Sequence, residues 1–306
     1  MSETENKTLI VVLGPTASGK TSVAIELARH FSTEILSADS RQFFRELNIG
    51  VARPSQEQLQ AVRHHFIAFI SIHGHYSSGT FEHDALRLLE HLFSTHDVVI
   101  CAGGSGLYIQ SLLNGMDDLP SDIQLKMKWA HELEKNGIES LQKELELRDA
   151  EYFGQVDTAN PSRLMRALEV IELTGQKYST LRSRQKAKRP FRILKIGLDV
   201  PRDLLYQKID ARVNEMMDAG LEQEATSLFP FRHFNSLNTV GYKELFEYFE
   251  GKCSLPDAIE KIKQHTRNYS KRQLTWWRRD EEITWMSPEN SSILNFASAT
   301  TKKASS

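Results

Sequence analysis

Leu9-Ile10-Val11-Val12-Leu13-Gly14-Pro15-Thr16-Ala17-Ser18-Gly19-Lys20-Thr21 is the stretch on which the fold turns. Its first five residues form an apolar run that stops at a glycine-rich turn, the pattern of a buried strand. Beyond the turn, Val23, Ala24, Leu27 and Ala28 recur at helical spacing within Thr21 to His30. Between strand and helix, Gly14 to Thr21 match G-x-x-x-x-G-K-[ST], the phosphate-binding loop, in the context that motif requires. The glycines let successive backbone N–H groups converge on an anion, and the helix N-terminus adds partial positive charge. Lys20 supplies a full charge for the outer phosphate, and the Thr21 hydroxyl can take Mg²⁺. Gly14, Pro15, Thr16, Ala17, Ser18, Gly19, Lys20 and Thr21 are thus the candidate phosphate site. Thr21 is the candidate metal ligand and Mg²⁺ the expected cofactor.

Working outward, a second strand is expected around Glu34 to Ala38 and a third at Val98 to Ala102, ending in Gly103-Gly104-Ser105-Gly106. Strands alternating with helices imply a parallel sheet. Asp122 to Glu146 and Asn160 to Leu173 then read as helices, the second started by Asn160 with Pro161 at its first position and stopped by Gly175. Arg182 to Arg192 holds six basic and no acidic residues and reads as an exposed linker. Ile193 to Val200 is expected as a strand, Asp203 to Leu228 as one long amphipathic helix, and Leu255 to about Trp277 as another. The tail after Pro288 has the small, polar composition of a frayed end. The expected class is α/β: a P-loop NTPase-like parallel-sheet core with a helical insertion domain. Its boundaries are expected at 1–118 for the first part of the core, 119–190 for the insertion and 191–306 for the return to the core.

Composition sets bounds on function. The 306 residues are 40% apolar and 25% charged, ordinary for a globular chain of one large or two moderate domains. No apolar run approaches the roughly 18 residues of a membrane span, and the opening Met1-Ser2-Glu3-Thr4-Glu5 is not a leader, so a cytoplasmic protein without a membrane partner is expected. Cys101 and Cys253 stand far apart and argue against a disulfide framework or zinc site; both are expected as small buried apolar residues. His64-His65, with no third ligand nearby, reads as structural. The net charge of −2 would count against a nucleic-acid partner, but the charge is unevenly spread.

Lys261 to Arg279 contains seven Lys or Arg and no Asp or Glu. On a helix, Lys263, Arg267, Lys271 and Arg278 fall within one stripe, while Ile259, Ile262, Tyr269 and Trp276 occupy a separate packing face. Such a stripe suits a phosphate backbone. No second strand ends in the usual arrangement that completes a nucleoside triphosphatase. The nearest carboxylate is Asp39, which at the end of its strand would face the phosphate loop and could serve as metal ligand or base, or else as an ordinary turn residue.

With these residues in hand, the chain resembles the tRNA dimethylallyltransferases, also called tRNA isopentenyltransferases. The resemblance runs from about residue 8 to 286 through Gly14 to Thr21, Asp39-Ser40-x-Gln42, His64-His65, Gly103 to Tyr108, Asn160 to Glu169, Gly241-Tyr242-Lys243-Glu244 and Thr266 to Arg278. It implies transfer of a dimethylallyl group from dimethylallyl diphosphate to N6 of the adenosine immediately 3′ of a tRNA anticodon. Asp39 is then the expected general base, and Lys20 and Arg212 the residues on the diphosphate. The family pattern also places Asp39, Ser40, Arg41, Gln42, Ser105, Lys126 and the run Ser162, Arg163, Leu164, Met165 and Arg166 near the anticodon stem-loop. The basic helix would add Lys263, Arg267, Lys271, Arg272, Gln273 and Arg278. Departures are Arg41 in place of the usual Met, Phe43-Phe44 in place of Val-Tyr, and Ser105 in place of Thr; all bear on the shape of the adenine pocket. A monomer is expected. The competing readings are an adenylate isopentenyltransferase, a P-loop small-molecule kinase, opposed by the basic helix, and a non-catalytic RNA-binding protein, opposed by the intact phosphate loop.

Overall fold

The computed structural model describes residues 7–117, 119–182, 186–289 and 292–302. Strand β1 (Thr8–Leu13) is buried along its whole length and pairs in parallel with β4 (Val98–Ala102) on one side and β5 (Arg192–Leu198) on the other. The sheet is completed by β2 (Ile35–Ser37), β3 (His64–His65) and β6 (Thr284–Met286), in the order β3-β2-β4-β1-β5-β6, with every named pair parallel. Successive side chains of β1 point to opposite faces. Leu9, Val11 and Leu13 pack with Leu36, Phe81, Cys101 and Trp277, whereas Ile10 and Val12 pack with Val23, Ala24 and Leu27. A strand covered on both sides has no polar face, which explains its unbroken apolar run.

The helices are α1 (Lys20–His30), α2 (Gln56–Ala61), α3 (Ser78–Phe93), α4 (Gly106–Asn114), α5 (Ile123–Asn136), α6 (Ile138–Arg148), α7 (Ala150–Phe153), α8 (Pro161–Thr174), α9 (Tyr178–Leu181), α10 (Arg202–Asp218), α11 (Leu221–Leu228), α12 (Tyr242–Phe249), α13 (Leu255–Trp277) and α14 (Ser292–Lys302). Residues up to Leu113 and from Lys188 onward form one compact unit, and Asn114–Ala187 form a second, helical one. The second unit has its own core of Trp129, Leu141, Leu145, Tyr152, Leu164, Ala167, Leu168 and Ile171. Within it α8 begins and ends as its sequence dictates: the Asn160 side chain accepts the Arg163 N–H, Pro161 follows, and Gly175 closes the helix in the left-handed region.

Four expectations are corrected. Asp122 to Glu146 is not one helix, because Gly137 at φ 75° ends α5 and starts α6. Asp203 to Leu228 is likewise divided at Gly220, φ 100°, into α10 and α11. Within the tail, the described residues Ser292–Lys302 are not frayed: they form α14, which lays Ile293 and Ala297 into the core beside α1. The basic stretch before β5 is not simply an exposed linker. Ser183, Arg184 and Gln185 lie outside the described residues, but Arg189 donates to the carbonyls of Ser111 and Leu112 and pairs with Glu82 at 2.7 Å, its side chain only 9% exposed. These contacts place residues 188–190 with the sheet unit, ahead of the expected boundary. Cys101 is buried and Cys253 is half-buried. Among the described residues no helix is long and apolar enough to cross a membrane.

Candidate active site

The phosphate loop leaves β1 through Gly14 (φ 150°) and passes Ala17 (φ 64°) and Gly19 (φ 90°) before α1 begins at Lys20. No side chain caps that helix, so its first N–H groups are left for an anion. Lys20 Nζ donates to the Pro15 carbonyl at 2.7 Å, which folds the lysine back over its own loop. The far side is held by α13. Gln273 Oε1 accepts the Thr16 N–H at 2.8 Å while its Nε2 donates to the Gly104 carbonyl at 2.9 Å. A Cβ at Gly104 would come within 2.4 Å of that Nε2, so the glycine-rich run after β4 is what lets the helix reach the loop.

Asp39 follows β2, one residue beyond Ala38, whose N–H donates to Ala102 at 2.8 Å. The segment is then pinned residue by residue. The Ser40 N–H donates to Ser105 Oγ at 2.9 Å, and the two hydroxyls meet at 3.1 Å. The Arg41 N–H donates to Asp39 Oδ1 at 3.2 Å. Gln42 Nε2 donates to the carbonyls of Val51 and Ala52, and its Oε1 accepts from Ser37 Oγ at 3.3 Å. The Arg41 guanidinium is spent on the backbone: it donates to the carbonyls of Asn235, Ser236 and Asn238 at 2.8–3.0 Å. That is how the structure uses the departure from the usual Met.

The phosphate loop, Asp39 to Gln42, Arg212 of α10 and the inner side of α13 line one open cleft of about 1500 Å³. Burial raises the Asp39 carboxyl above its ordinary range, opposed by the Arg41 N–H and the charge of Lys20. Burial also lowers Lys20 to about 8, with Asp39 opposing and Arg212 adding to the shift. Burial lowers Arg212 as well, against the nearby Glu215, yet a guanidinium stays charged. A carboxylate made more basic therefore shares a cleft with two cations and an open helix N-terminus.

Other expected site residues have more varied places. Of those on α13 and at its C-terminal cap, Lys263 pairs with Glu260 at 2.7 Å, Arg267 with Asp210 at 2.5 Å and Arg278 with Asp199 at 2.7 Å. Lys271 lies 6.0 Å from the Tyr206 ring centroid and Arg272 lies 5.8 Å from that of Tyr269. The acid-free stretch Lys261 to Arg279 is thus offset by acidic residues outside it, Glu260 of the same helix among them. Its buried stripe also differs from the expected one: Ala258, Ile262, Ser270, Gln273 and Trp277 face inward, while Tyr269, assigned by spacing to the packing face, is 38% exposed. In the helical unit Ser162 and Arg163 are exposed and Lys126 and Met165 half-buried. Arg166 donates to the carbonyls of Leu119 and Pro120 and pairs with Glu169 at 2.8 Å. Leu164 is fully buried in that unit's core, so its side chain serves packing.

Two residues that sequence reasoning passed over also line the cleft. Buried Glu244 accepts the Gly241 N–H at 2.7 Å and meets His265 Nδ1 at 2.6 Å. The only signal was the Gly241-Tyr242-Lys243-Glu244 string. On β3, His64 Nδ1 bonds the Val62 carbonyl at 2.8 Å while the residue lines the cleft, and His65 Nε2 meets Glu34 at 2.5 Å.

A family model described as IPP transferase matches residues 42–280. tRNA dimethylallyltransferase 1 of Bacteroides thetaiotaomicron is 47% identical over 283 residues, 92% of each chain. The crystal structure of the full-length tRNA isopentenylpyrophosphate transferase from Bacillus halodurans is 30% identical and superposes with a TM-score of 0.72 over 98% of both chains. A eukaryotic dimethylallyltransferase, seen in crystallographic snapshots acting on tRNA, is 25% identical with a TM-score of 0.83 over 98% of this chain and 80% of its own. These similarities span the sheet, the phosphate loop and the helical unit together, and the chain belongs to the IPP transferase family.

Proposed function

We propose that this chain transfers the dimethylallyl group of dimethylallyl diphosphate to N6 of the adenosine immediately 3′ of a tRNA anticodon, giving N6-isopentenyladenosine, and that it acts as a cytoplasmic monomer. The observation that carries the reading is the single cleft shared by Lys20, Arg212 and Asp39. It pairs a site for a multiply charged leaving group with a carboxylate of raised basicity.

Adenine N6 is a weak nucleophile because its lone pair is delocalised into the ring, so alkylation needs a good leaving group, alignment and a proton acceptor. The N6–C1 bond forms as the C1–O bond to diphosphate breaks, and the bonding pair leaves on the diphosphate oxygen. Lys20, Arg212 and the first N–H groups of α1 meet the charge that develops there. The N6 proton passes to Asp39, whose carboxylate is a stronger base than a solvated one.

Mg²⁺ fits the donor present. The Thr21 hydroxyl lines a small cavity beside Lys20 and is a hard oxygen donor of the kind that would hold Mg²⁺ together with substrate phosphates, leaving the Asp39 carboxylate free as the base. When bound, the ion supplies further charge neutralisation on the diphosphate. The test is mass spectrometry of nucleosides from tRNA incubated with the protein, Mg²⁺ and dimethylallyl diphosphate. A mass gain on adenosine is expected. Prenylation of free adenylate in place of tRNA would return the reading to an adenylate transferase, and phosphoryl transfer from ATP with no prenylation to a kinase.

A further inference from the structure

Among the described residues lining the cleft, Tyr269 is the only phenylalanine, tyrosine or tryptophan. Its neighbours on α13 do not share its position, since Trp276 and Trp277 pack against the sheet core. Its ring is 38% exposed and faces the cleft, on a helix that Gln273 ties to the phosphate loop. It stands close enough to Asp39 and Arg41 for both charges to act on its hydroxyl, and burial together with Asp39 pushes that hydroxyl up to about 12. The phenol therefore stays neutral near pH 7 and is no proton acceptor. The Arg272 guanidinium lies 5.8 Å from its centroid, a cation placed to polarise the ring.

A purine drawn out of an RNA loop loses the stacking of its neighbours and must recover it in the pocket. The groups described around Asp39 are backbone amides, hydroxyls, an amide side chain, the Lys20 ammonium and guanidinium groups; of the planar guanidiniums, that of Arg41 is held by three backbone carbonyls and that of Arg212 is assigned to the diphosphate. A planar support would also fix the plane of the base, and with it the direction in which the exocyclic amine points.

We propose that Tyr269 is the platform on which the target adenine stacks while its N6 is presented to Asp39, a residue that positions the acceptor base and takes no part in holding the prenyl diphosphate. The proposal rests on the prenyl-transfer reading above. Stacking of one base on an aromatic ring is worth about ten- to a hundredfold in affinity, and the ring, not the hydroxyl, carries that effect.

The experiment uses the full chain, dimethylallyl diphosphate and an anticodon stem-loop RNA, with Tyr269→Leu and Tyr269→Phe. A second stem-loop carries 2-aminopurine at the acceptor position; it lacks the 6-amine, and its fluorescence is quenched by stacking. Tyr269→Leu is expected to lower kcat/KM for the RNA by about ten- to a hundredfold, to leave binding of dimethylallyl diphosphate unchanged, and to brighten bound 2-aminopurine. Tyr269→Phe is expected to recover most of the loss and to restore quenching. An unchanged rate and unchanged quenching in Tyr269→Leu overturn the proposal. So does a Tyr269→Phe variant as impaired as Tyr269→Leu, because the hydroxyl would then be the working group. A parallel loss of dimethylallyl diphosphate binding also overturns it, since Tyr269 would be shaping the cleft as a whole. Failure of the wild-type chain to prenylate any stem-loop would instead sink prenyl transfer, and the quenching comparison would still decide whether Tyr269 holds a base.

Discussion

The two walls of the cleft are built differently. On one, β1, the phosphate loop and α1 are continuous in the chain, and the groups that meet an anion are mostly backbone N–H groups and one lysine. On the other, α13 reaches the loop through Gln273, 257 positions away from Thr16. The first wall works through a conformation that a short motif can specify. The second works through ordinary side chains whose roles depend on what stands opposite them. Chemistry should therefore be lost abruptly when the strand-end carboxylate is altered, and lost through geometry when α13 is altered.

The largest expected effect lies at Asp39. Asp39→Asn keeps shape and a hydrogen-bonding oxygen but removes basicity, so single-turnover prenylation should fall by about 10²–10⁴-fold with folding and binding of both substrates little changed. A rate within about threefold of wild type would make general-base catalysis untenable. A loss of RNA binding in proportion to the rate would mean that Asp39 positions adenine and that the base lies elsewhere.

Next comes the clamp between the walls. Gln273→Leu leaves the Thr16 N–H and the Gly104 carbonyl without their partner. Each orphaned buried group costs about 1–3 kcal/mol, and the Thr16 N–H, on the open cleft, is only part-buried, so urea denaturation should show a loss of about 1–4 kcal/mol. The Michaelis constant for dimethylallyl diphosphate should rise with it. Unchanged stability and an unchanged constant would show that the two walls are not coupled through this residue.

Lys20→Ala tests the local wall alone. A hydrogen bond to a charged group contributes about 1.5–3 kcal/mol, so kcat/KM for dimethylallyl diphosphate should fall by about ten- to a hundredfold while RNA affinity measured without donor is preserved. Equal losses for both substrates would place Lys20 in the shape of the cleft and not on the leaving group.

Legibility follows the same division. The phosphate loop, β4 and both ends of α8 could be read because each is fixed by local chemistry: a glycine-rich turn, an apolar run, an asparagine cap with proline, a closing glycine. Asp39 could be placed because a strand's carboxyl end faces the loop of its neighbour. What could not be read was set by partners distant in sequence. Spacing put Tyr269 among the packing residues, whereas the bonds of Gln273 to Thr16 and Gly104 turn Gln273 inward and leave Tyr269 on the cleft. Gly137 and Gly220 stood in view, but periodicity carries through a single glycine, so two helix breaks were missed. The polar tail concealed α14, which needs only Ile293 and Ala297 to dock.

The smallest effect concerns the basic stripe, and here the acidic partners sharpen the comparison. Charge reversal at Lys263, Arg267 and Lys271 should weaken tRNA binding and flatten its salt dependence, since each lost phosphate contact lowers the slope by about one unit. Two of the three are engaged in the free protein, Lys263 with Glu260 and Arg267 with Asp210. Partly exposed ion pairs of this kind are worth only about 0–1 kcal/mol, less than the gain from a phosphate contact with release of its counterions. They should therefore open when RNA arrives, and the triple variant should lose about three units of slope. A loss of about one unit would mean that only Lys271 meets phosphate and that α13's pairs are permanent fixtures of its wall; no change at all would mean that the stripe is merely solvated. Asp210→Asn separates the first two cases without reversing any charge on the helix. If the pair opens on binding, removing its acid spares that step, so RNA affinity should rise by less than about fivefold and the urea midpoint should scarcely move. If the pair instead holds α10 against α13, Asp210→Asn should lower the urea midpoint and leave RNA affinity no better than before.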